Sequence, residues 1–373
     1  MILRPQLKDI RIIGFYLGKI IVGVALFMIF PMIVAVLNRE FNPLFDFVIS
    51  FLICIVVGLT LHVFCYIREE PKWSHGMIVV AFSWIVASLA GAIPLYLSHH
   101  FNCFLDAFFE AVSGFTTTGL SLTQDLSHMA MSHNLWRHIT IFIGGQGIVV
   151  VILGLFVHGA TGAFKLYVGE ARDEKVLPNI RQTARFIWIV SLVYLILGTL
   201  ILGLVLFSEG MPLWESFFHA ACIFMAGYDT GGFAPQQQNI QYYHSFAVEM
   251  ICCVFMLLGA INFLLHYTIW SGKRKELLRN VETVTLFFSV VLIYASVALG
   301  LTRIHAYADE LTLFRRGFFQ LISAHTGTGF QTIYPVQFIN ELESLSIFGI
   351  LLAMSLGGCI CSTTGGIKAL RLS

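Results

Sequence analysis

The stretch FFEAVSGFTTTG, Phe108–Gly119, decides the fold of this 373-residue chain. It joins two phenylalanines and an acidic residue to a short apolar segment, and then to three threonines and a glycine. The layout returns in FFHAACIFMAGYD, Phe217–Asp229, and in FFQLISAHTGTG, Phe318–Gly329. Long apolar runs precede and follow each copy, so the sequence predicts an internal repeat in a membrane protein.

Composition indicates the same class. Hydrophobic residues make up 57% of the chain and charged residues 12%, and the net charge of +1 offers no field for nucleic acid. The apolar run 12–37 is longer than a signal-peptide core, which indicates a membrane helix that is retained. Most of the eight cysteines lie inside apolar runs, which favours buried, inert thiols over a zinc or disulfide framework.

Two lengths of apolar segment alternate along the chain. Full spans are predicted at 12–37, 44–67, 76–97, 137–158, 185–207, 245–270 and 284–301, and a further run, 344–356, stops early. The three shorter stretches are 104–115, 213–226 and 312–325. Each is about 20 Å long as a helix, too short for a hydrocarbon core of about 30 Å. They are half-helices, either re-entrant or interfacial by length alone.

The distribution of charge favours re-entrance. With a cytoplasmic N-terminus and half-helices that return to their own side, sixteen Lys and Arg residues lie inside and five lie outside. This asymmetry follows the positive-inside rule, and one crossing half-helix would destroy it. The predicted fold is an all-α integral membrane protein of tandem span, half-helix, loop and span units. The predicted divisions are a two-helix preface at 1–70 and repeats at 71–170, 171–275 and 276–373.

The loops have the composition of an ion selectivity filter. Backbone carbonyls can replace the hydration oxygens of a cation without titrating, and glycine permits the backbone conformations that this requires. Threonine adds a hydroxyl, as a further oxygen or as a tether. A single Gly/Thr loop is more often an ordinary turn, but three loops in register on one face favour a filter. The predicted potassium-binding residues are Thr116, Thr117, Thr118, Gly119, Ala226, Gly227, Tyr228, Thr326, Gly327, Thr328 and Gly329.

The second loop is harder to align than the others. Gly119 and Gly329 each lie nine positions after the residue that follows the two phenylalanines. Gly227 lies eight positions after the corresponding residue, His219. We take Gly227 as the filter glycine here, and 231–233 as the exit of the loop.

One position of the repeat carries a different polar residue in each half-helix: Glu110, His219 and Gln320. Glu110 either adds negative potential near an ion path or forms hydrogen bonds behind the loop. An ionised group in a membrane is costly and usually has a purpose. Scattered acidic residues of this kind show no paired catalytic arrangement, so an enzyme is not predicted.

The last segment breaks a helix part-way across the membrane. Its small and hydroxyl residues are Gly357, Gly358, Ser362, Thr363, Thr364, Gly365 and Gly366. Such backbone at membrane depth must line a cavity or pack against protein. Two interpretations stay open: a flexible constriction beneath the filter, and a helix end.

Together these motifs resemble the membrane subunit of the Trk/Ktr/HKT superfamily of potassium transporters, most closely the bacterial Trk/Ktr type. The matching stretches are FEAVSGFTTTG (109–119), GGQGI (144–148), FHA (218–220) with AGY (226–228), STTGGIK (362–368), and the connector from GEAR (169–172) to RQTA (181–184). They extend over nearly the whole chain.

The resemblance implies a subunit of the bacterial cytoplasmic membrane with four unlike repeats, each giving one filter loop with a key glycine. It implies potassium preference from Gly119, and a gating loop in the segment 357–366. It also implies a homodimer that binds a cytosolic nucleotide-binding regulatory subunit. No cofactor is implied; potassium is the substrate.

The chain departs from this pattern in several places. Three repeats are visible and a fourth is expected, so the resemblance predicts a truncated member that is inactive alone. Met225 stands where the family has Asn, and Thr364 where it has a small residue. The predicted function is potassium uptake; the alternative is a non-conducting membrane assembly partner or remnant.

Overall fold

The computed structural model describes residues 6–67, 69, 71–147, 180–304, 307, 309–340 and 342–371. These residues form helices and loops without strands, which confirms the predicted all-α membrane fold. They pack into two compact units. Unit 1 comprises the described parts of 1–116 and 120–189, and unit 2 comprises 117–119 and the described parts of 190–373. The division into a preface and three repeats stays a prediction.

Unit 1 contains the described residues of the predicted preface and of the first repeat, except Thr117–Gly119. Its helices are Leu7–Phe27, Ile29–Leu37, Phe41–Phe64, Trp73–Leu97, Phe104–Phe115 and Met131–Gln146, with the start of Ile180–Ser208. The first two join into one apolar span of 31 residues. The first half-helix has the predicted bounds. The predicted span 137–158 begins earlier, at Met131; residues 148–158, Ile148 of the GGQGI motif and most of the connector 159–184 lie outside the described residues.

Unit 2 contains the other two repeats. Its helices are the rest of Ile180–Ser208, then Leu213–Tyr228, Phe246–Ala260, Phe263–Trp270, Glu276–Arg279, Val281–Arg303, Glu310–Thr326, Pro335–Asn340 and Ser344–Ser355, with 3-10 turns at Asn239–Tyr243 and Ala369–Arg371. Half-helices 2 and 3 have 16 and 17 residues, about 25 Å, and are still too short to span. By length and apolar composition, the described residues hold five spans, or six if one bent pair is counted.

The third half-helix begins earlier than predicted. Asp309 caps it, because its carboxylate accepts a hydrogen bond from the backbone N–H of Thr312 at 2.8 Å. This bond to a backbone N–H lowers the pKa of Asp309. Polar residues at the start of a helix do not raise hydropathy, so the apolar run alone underestimates the length of the helix.

The predicted span 245–270 is two helices, which meet at 102°. The first ends at Ala260, and Asn262 caps the second, accepting a hydrogen bond from the N–H of Leu264 at 2.8 Å. His266 fastens the bend, since its Nε2 lies 3.1 Å from the carbonyl oxygen of Leu258. Apolar residues continue through the bend, so hydropathy does not reveal it.

Glycines allow close approach of backbones in unit 1. A side chain on Gly18 would begin 2.7 Å from the carbonyl oxygen of Gly58, where the first two spans cross. One on Gly144 would begin 1.9 Å from the carbonyl oxygen of Phe115, the last residue of the first half-helix. Small residues commonly permit such contacts between membrane helices. Gly144 therefore sets the distance between the half-helix and the helix that follows it.

Gly144→Ala should lower the free energy of unfolding by about 2 kcal/mol, because the new methyl group overlaps rigid backbone. The thermal unfolding midpoint in detergent measures this. Gly317→Ala is the control: its methyl would meet the flexible end of Leu301 at 3.1 Å. Equal midpoints for the two variants would contradict the packing argument.

Candidate functional site

The three loops share one backbone conformation. Each contains two residues with positive φ, separated by one residue. The pairs are Thr117 and Gly119 (φ 52° and 79°), Thr230 and Gly232 (52° and 72°), and Gly327 and Gly329 (71° and 87°). Positive φ is unfavourable for residues other than glycine. Its recurrence defines three equivalent loop segments: 116–119, 229–232 and 326–329.

The second loop segment lies later in the chain than the residues predicted from the sequence. Ala226, Gly227 and Tyr228 form the last turn of the second half-helix, and Gly232 takes the place expected for Gly227. Gly232 lies thirteen positions after His219, whereas the equivalent spacing is nine in the other repeats. Four additional residues are about one helical turn. The part of the second half-helix that follows His219 is therefore longer by about one turn than its equivalents, which an alignment by residue counting cannot accommodate.

A signal for this register exists in the sequence. The glycine that ends each segment is followed by a large apolar residue: Leu120, Phe233 and Phe330. Phe233 and Phe330 are buried. Aligning on this glycine and apolar pair, rather than on the distance from the phenylalanines, identifies Gly232.

The segments lie side by side within unit 2, which includes Thr117–Gly119. A side chain on Gly119 would begin 2.2 Å from the carbonyl oxygen of Gly231, and one on Gly232 would begin 2.0 Å from that of Thr328. Each glycine thus faces the residue before the equivalent glycine of the next segment. At Gly329, an added Cβ atom would have no atom of the described residues within 4 Å, apart from those of its neighbours in the chain.

Threonine hydroxyls at the start of two segments act as tethers. Thr116 donates to the carbonyl oxygen of Val112 at 2.7 Å, and Thr326 donates to that of Ile322 at 2.8 Å. Each bond closes the last turn of its half-helix. Thr328 lies 2.7 Å from Thr326, hydroxyl to hydroxyl. These contacts fix the point where helix changes to loop.

Glu110 forms hydrogen bonds behind the first loop, the second of the two roles considered. Its side chain is fully buried and lies 2.7 Å from Nε of Arg137. It also accepts hydrogen bonds from the hydroxyl of Ser121 at 2.9 Å and the N–H of Leu122 at 2.8 Å. The carboxylate therefore holds the chain that leaves the loop. Arg137 was not recognised from the sequence, because its partner lies 27 positions away.

The equivalent residues of the other repeats bind the chain that follows their loop segments. In the amide orientation that satisfies its hydrogen bonds, the Gln320 oxygen accepts from the N–H groups of Thr332 and Ile333 at 3.0 and 3.2 Å. His219 Nδ1 lies 2.8 Å from the hydroxyl of Tyr243. One position of the half-helix thus holds the outgoing chain through three different side chains.

A second ion pair links repeats 2 and 3. Arg315, on the third half-helix, donates two hydrogen bonds to Glu249, at 2.6 and 2.7 Å. The neighbouring Arg316 lies over the ring of Tyr307, 5.5 Å from its centroid. Bidentate pairing fixes orientation as well as distance. Arg315 therefore orients the third half-helix against the helix that bears Glu249.

The last segment folds back on itself. The N–H of Gly357 donates to the carbonyl oxygen of Ile367 at 2.8 Å, closing the base of the loop. The N–H groups of Cys359 and Thr363 donate to the carbonyl oxygens of Ala260 and Gly259 at 3.0 and 3.2 Å. The loop 357–366, named the intramembrane loop below, therefore packs on the bend of the second repeat.

Glu110→Gln should lower the free energy of unfolding by about 3–5 kcal/mol, because Arg137 is left buried without its anionic partner. Chemical or thermal unfolding in detergent measures this. The matched control is Glu69→Gln, which removes the exposed pair with Lys8 and should cost at most about 1 kcal/mol. Similar losses in both variants would refute the role of the buried pair.

Comparison with known proteins gives a consistent result. The family described as TrkH, cation transport protein, matches residues 43–373. A cation transporter of Methanocaldococcus jannaschii is 32% identical, over 99% of this chain and 72% of its own length. The Trk system potassium uptake protein TrkG of Escherichia coli is 31% identical, over 98% and 74%. The crystal structure of the potassium transporter TrkH from Vibrio parahaemolyticus superposes with a TM-score of 0.80 at 26% identity, covering 97% of this chain and 73% of that one.

A match of this extent is to a family of transport proteins rather than of enzymes. It agrees with the half-helices and loops of a multi-pass membrane protein. The chain belongs to the TrkH family of cation transport proteins.

Proposed function

We propose that the chain takes up potassium ions across the cell membrane as the translocating subunit of a Trk/Ktr-like system. Family membership supports cation transport, and the printed names of TrkG and TrkH support potassium for those relatives. The observation that carries the proposal is the side-by-side packing of three loop segments with one backbone conformation. Backbone of this kind at membrane depth is typical of a selectivity filter.

The proposed ion-binding groups are oxygens of the three loop segments. Carbonyls and hydroxyls replace the water around the ion and do not change charge with pH. The residues are Thr116, Thr117, Thr118 and Gly119, then Asp229, Thr230, Gly231 and Gly232, then Thr326, Gly327, Thr328 and Gly329. The preference for potassium follows from the resemblance, through Gly119.

The proposed orientation has a cytoplasmic N-terminus in a bacterial inner membrane. Three of the five basic residues assigned to the outer side, Arg137, Arg303 and Arg315, are paired with carboxylates of the same protein. Their charges are thus neutralised locally, which strengthens the positive-inside asymmetry. A homodimer and a cytosolic nucleotide-binding regulatory subunit are proposed as partners, from the resemblance alone.

Gly232→Ala should reduce potassium uptake at least tenfold, since it forces a methyl group into a positive-φ site 2.0 Å from the carbonyl oxygen of Thr328. Gly227→Ala should retain uptake within about threefold, because a helical site accepts alanine and its nearest neighbour is the ring of Phe330 at 3.1 Å. Rubidium-86 uptake by proteoliposomes measures both.

Protein from the monodisperse fraction is used for each variant, so that misfolding does not mimic loss of transport. A greater loss in Gly227→Ala would overturn the assignment of the second segment. Proteoliposomes with the wild-type protein that take up no more rubidium than protein-free liposomes would reject conduction by this chain. That result would favour the non-conducting assembly partner.

A further inference from the structure

The intramembrane loop brings one hydroxyl group to the end of the second half-helix. Oγ1 of Thr363 lies 3.1 Å from the carbonyl oxygen of Tyr228 and 3.0 Å from that of Gly259. Tyr228 ends the half-helix, and Gly259 precedes the bend. A hydroxyl has one proton, so Thr363 shares it between carbonyls of two separate elements.

The same hydroxyl contacts the second loop segment. Thr230 lies in that segment with positive φ, and its Oγ1 donates to Oγ1 of Thr363 at 3.3 Å. Thr363 therefore accepts a hydrogen bond from the loop segment while it donates to the backbone beneath. The equivalent positions of the other segments are Thr117 and Gly327.

The meeting point has no spare space. A side chain on Gly259 would begin 1.8 Å from the carbonyl oxygen of Tyr228 and 3.0 Å from Oγ1 of Thr363. The loop, the bend and the half-helix are thus in direct contact. A displacement of one requires the others to move or the hydrogen bonds to break.

Hydrogen bonds within the intramembrane loop make it a single body. The N–H of Gly358 donates to Oγ1 of Thr364 at 2.9 Å, and the hydroxyl of Ser362 lies 2.9 Å from the same atom. Lys368 donates to the carbonyl oxygen of Thr364. The N–H of Ile360 donates to Glu282, on the span Val281–Arg303, at 2.9 Å. Movement at the base of the loop therefore reaches Thr363.

We propose that Thr363 is a positioning residue for cation selection, whose hydroxyl couples the intramembrane loop to the second loop segment through Thr230, Tyr228 and Gly259. The selectivity part rests on the proposed function. The coupling part is a property of the folded chain and is tested separately.

The coupling is tested by hydrogen–deuterium exchange on the full chain in lipid nanodiscs. Thr363→Val keeps the shape of the side chain and removes the hydroxyl. It should accelerate exchange about tenfold both in the loop peptide, 357–366, and in the loop-segment peptide, 229–233. Thr363→Ser keeps the hydroxyl and should exchange within about twofold of the wild type.

The matched control is Thr268→Val, since within the described residues the Thr268 hydroxyl bonds carbonyls of its own helix, those of Leu264 and Leu265. It should leave both peptides unchanged. Faster exchange in the loop alone, or in neither peptide, overturns the coupling. The coupling is supported if both peptides exchange faster in Thr363→Val and in neither of the other two variants.

Selectivity is measured as the ratio of rubidium to sodium uptake by proteoliposomes. This ratio should fall at least threefold in Thr363→Val and be retained in Thr363→Ser and Thr268→Val. An unchanged ratio with active wild-type protein overturns the role in selection. If wild-type protein takes up neither ion, the proposed function and the selectivity part both fail, and exchange alone decides the coupling.

Discussion

Peptide groups at membrane depth have no water to bond with, and this constraint organises the described structure. Each interruption of a helix releases carbonyls or N–H groups that need a partner within the protein. The bend after Ala260 releases carbonyls, and the N–H groups of Cys359 and Thr363 bind them. The break after Ser355 is closed by its own chain, because the N–H of Gly357 donates to the carbonyl oxygen of Ile367 and the N–H of Ile367 donates to that of Ser355. Irregular backbone is therefore paired with irregular backbone.

The same constraint accounts for the role of glycine. Where two interrupted segments meet, their backbones approach more closely than any side chain allows, as at Gly119, Gly232 and Gly259. Positive φ at Gly119 and Gly232 adds a conformational requirement to the steric one. The two requirements together make these positions far less tolerant than Gly227, which lies in a regular helix.

Buried polar side chains hold the loops in place in ways that differ between repeats. Glu110 with Arg137, His219 with Tyr243, and Gln320 with backbone N–H groups all hold the chain after the loop. Position is shared while chemistry is not, because a hydrogen bond to the outgoing chain can be made by an acid, an imidazole or an amide. The acid differs from the other two because it needs a cation to balance its charge. Among the described residues of these three sites, that cation is the buried Arg137 beside Glu110.

The lengths of the apolar runs determined the membrane class and the half-helices, because they depend on composition along the chain. The threonine and glycine content of the loops likewise located the candidate site. The sequence could not show the 102° bend at Asn262 or the pairing of Glu110 with Arg137. These depend on contacts between residues far apart in the chain, and on hydrogen bonds that compensate a break in an otherwise continuous apolar run. Tertiary structure alone decided them.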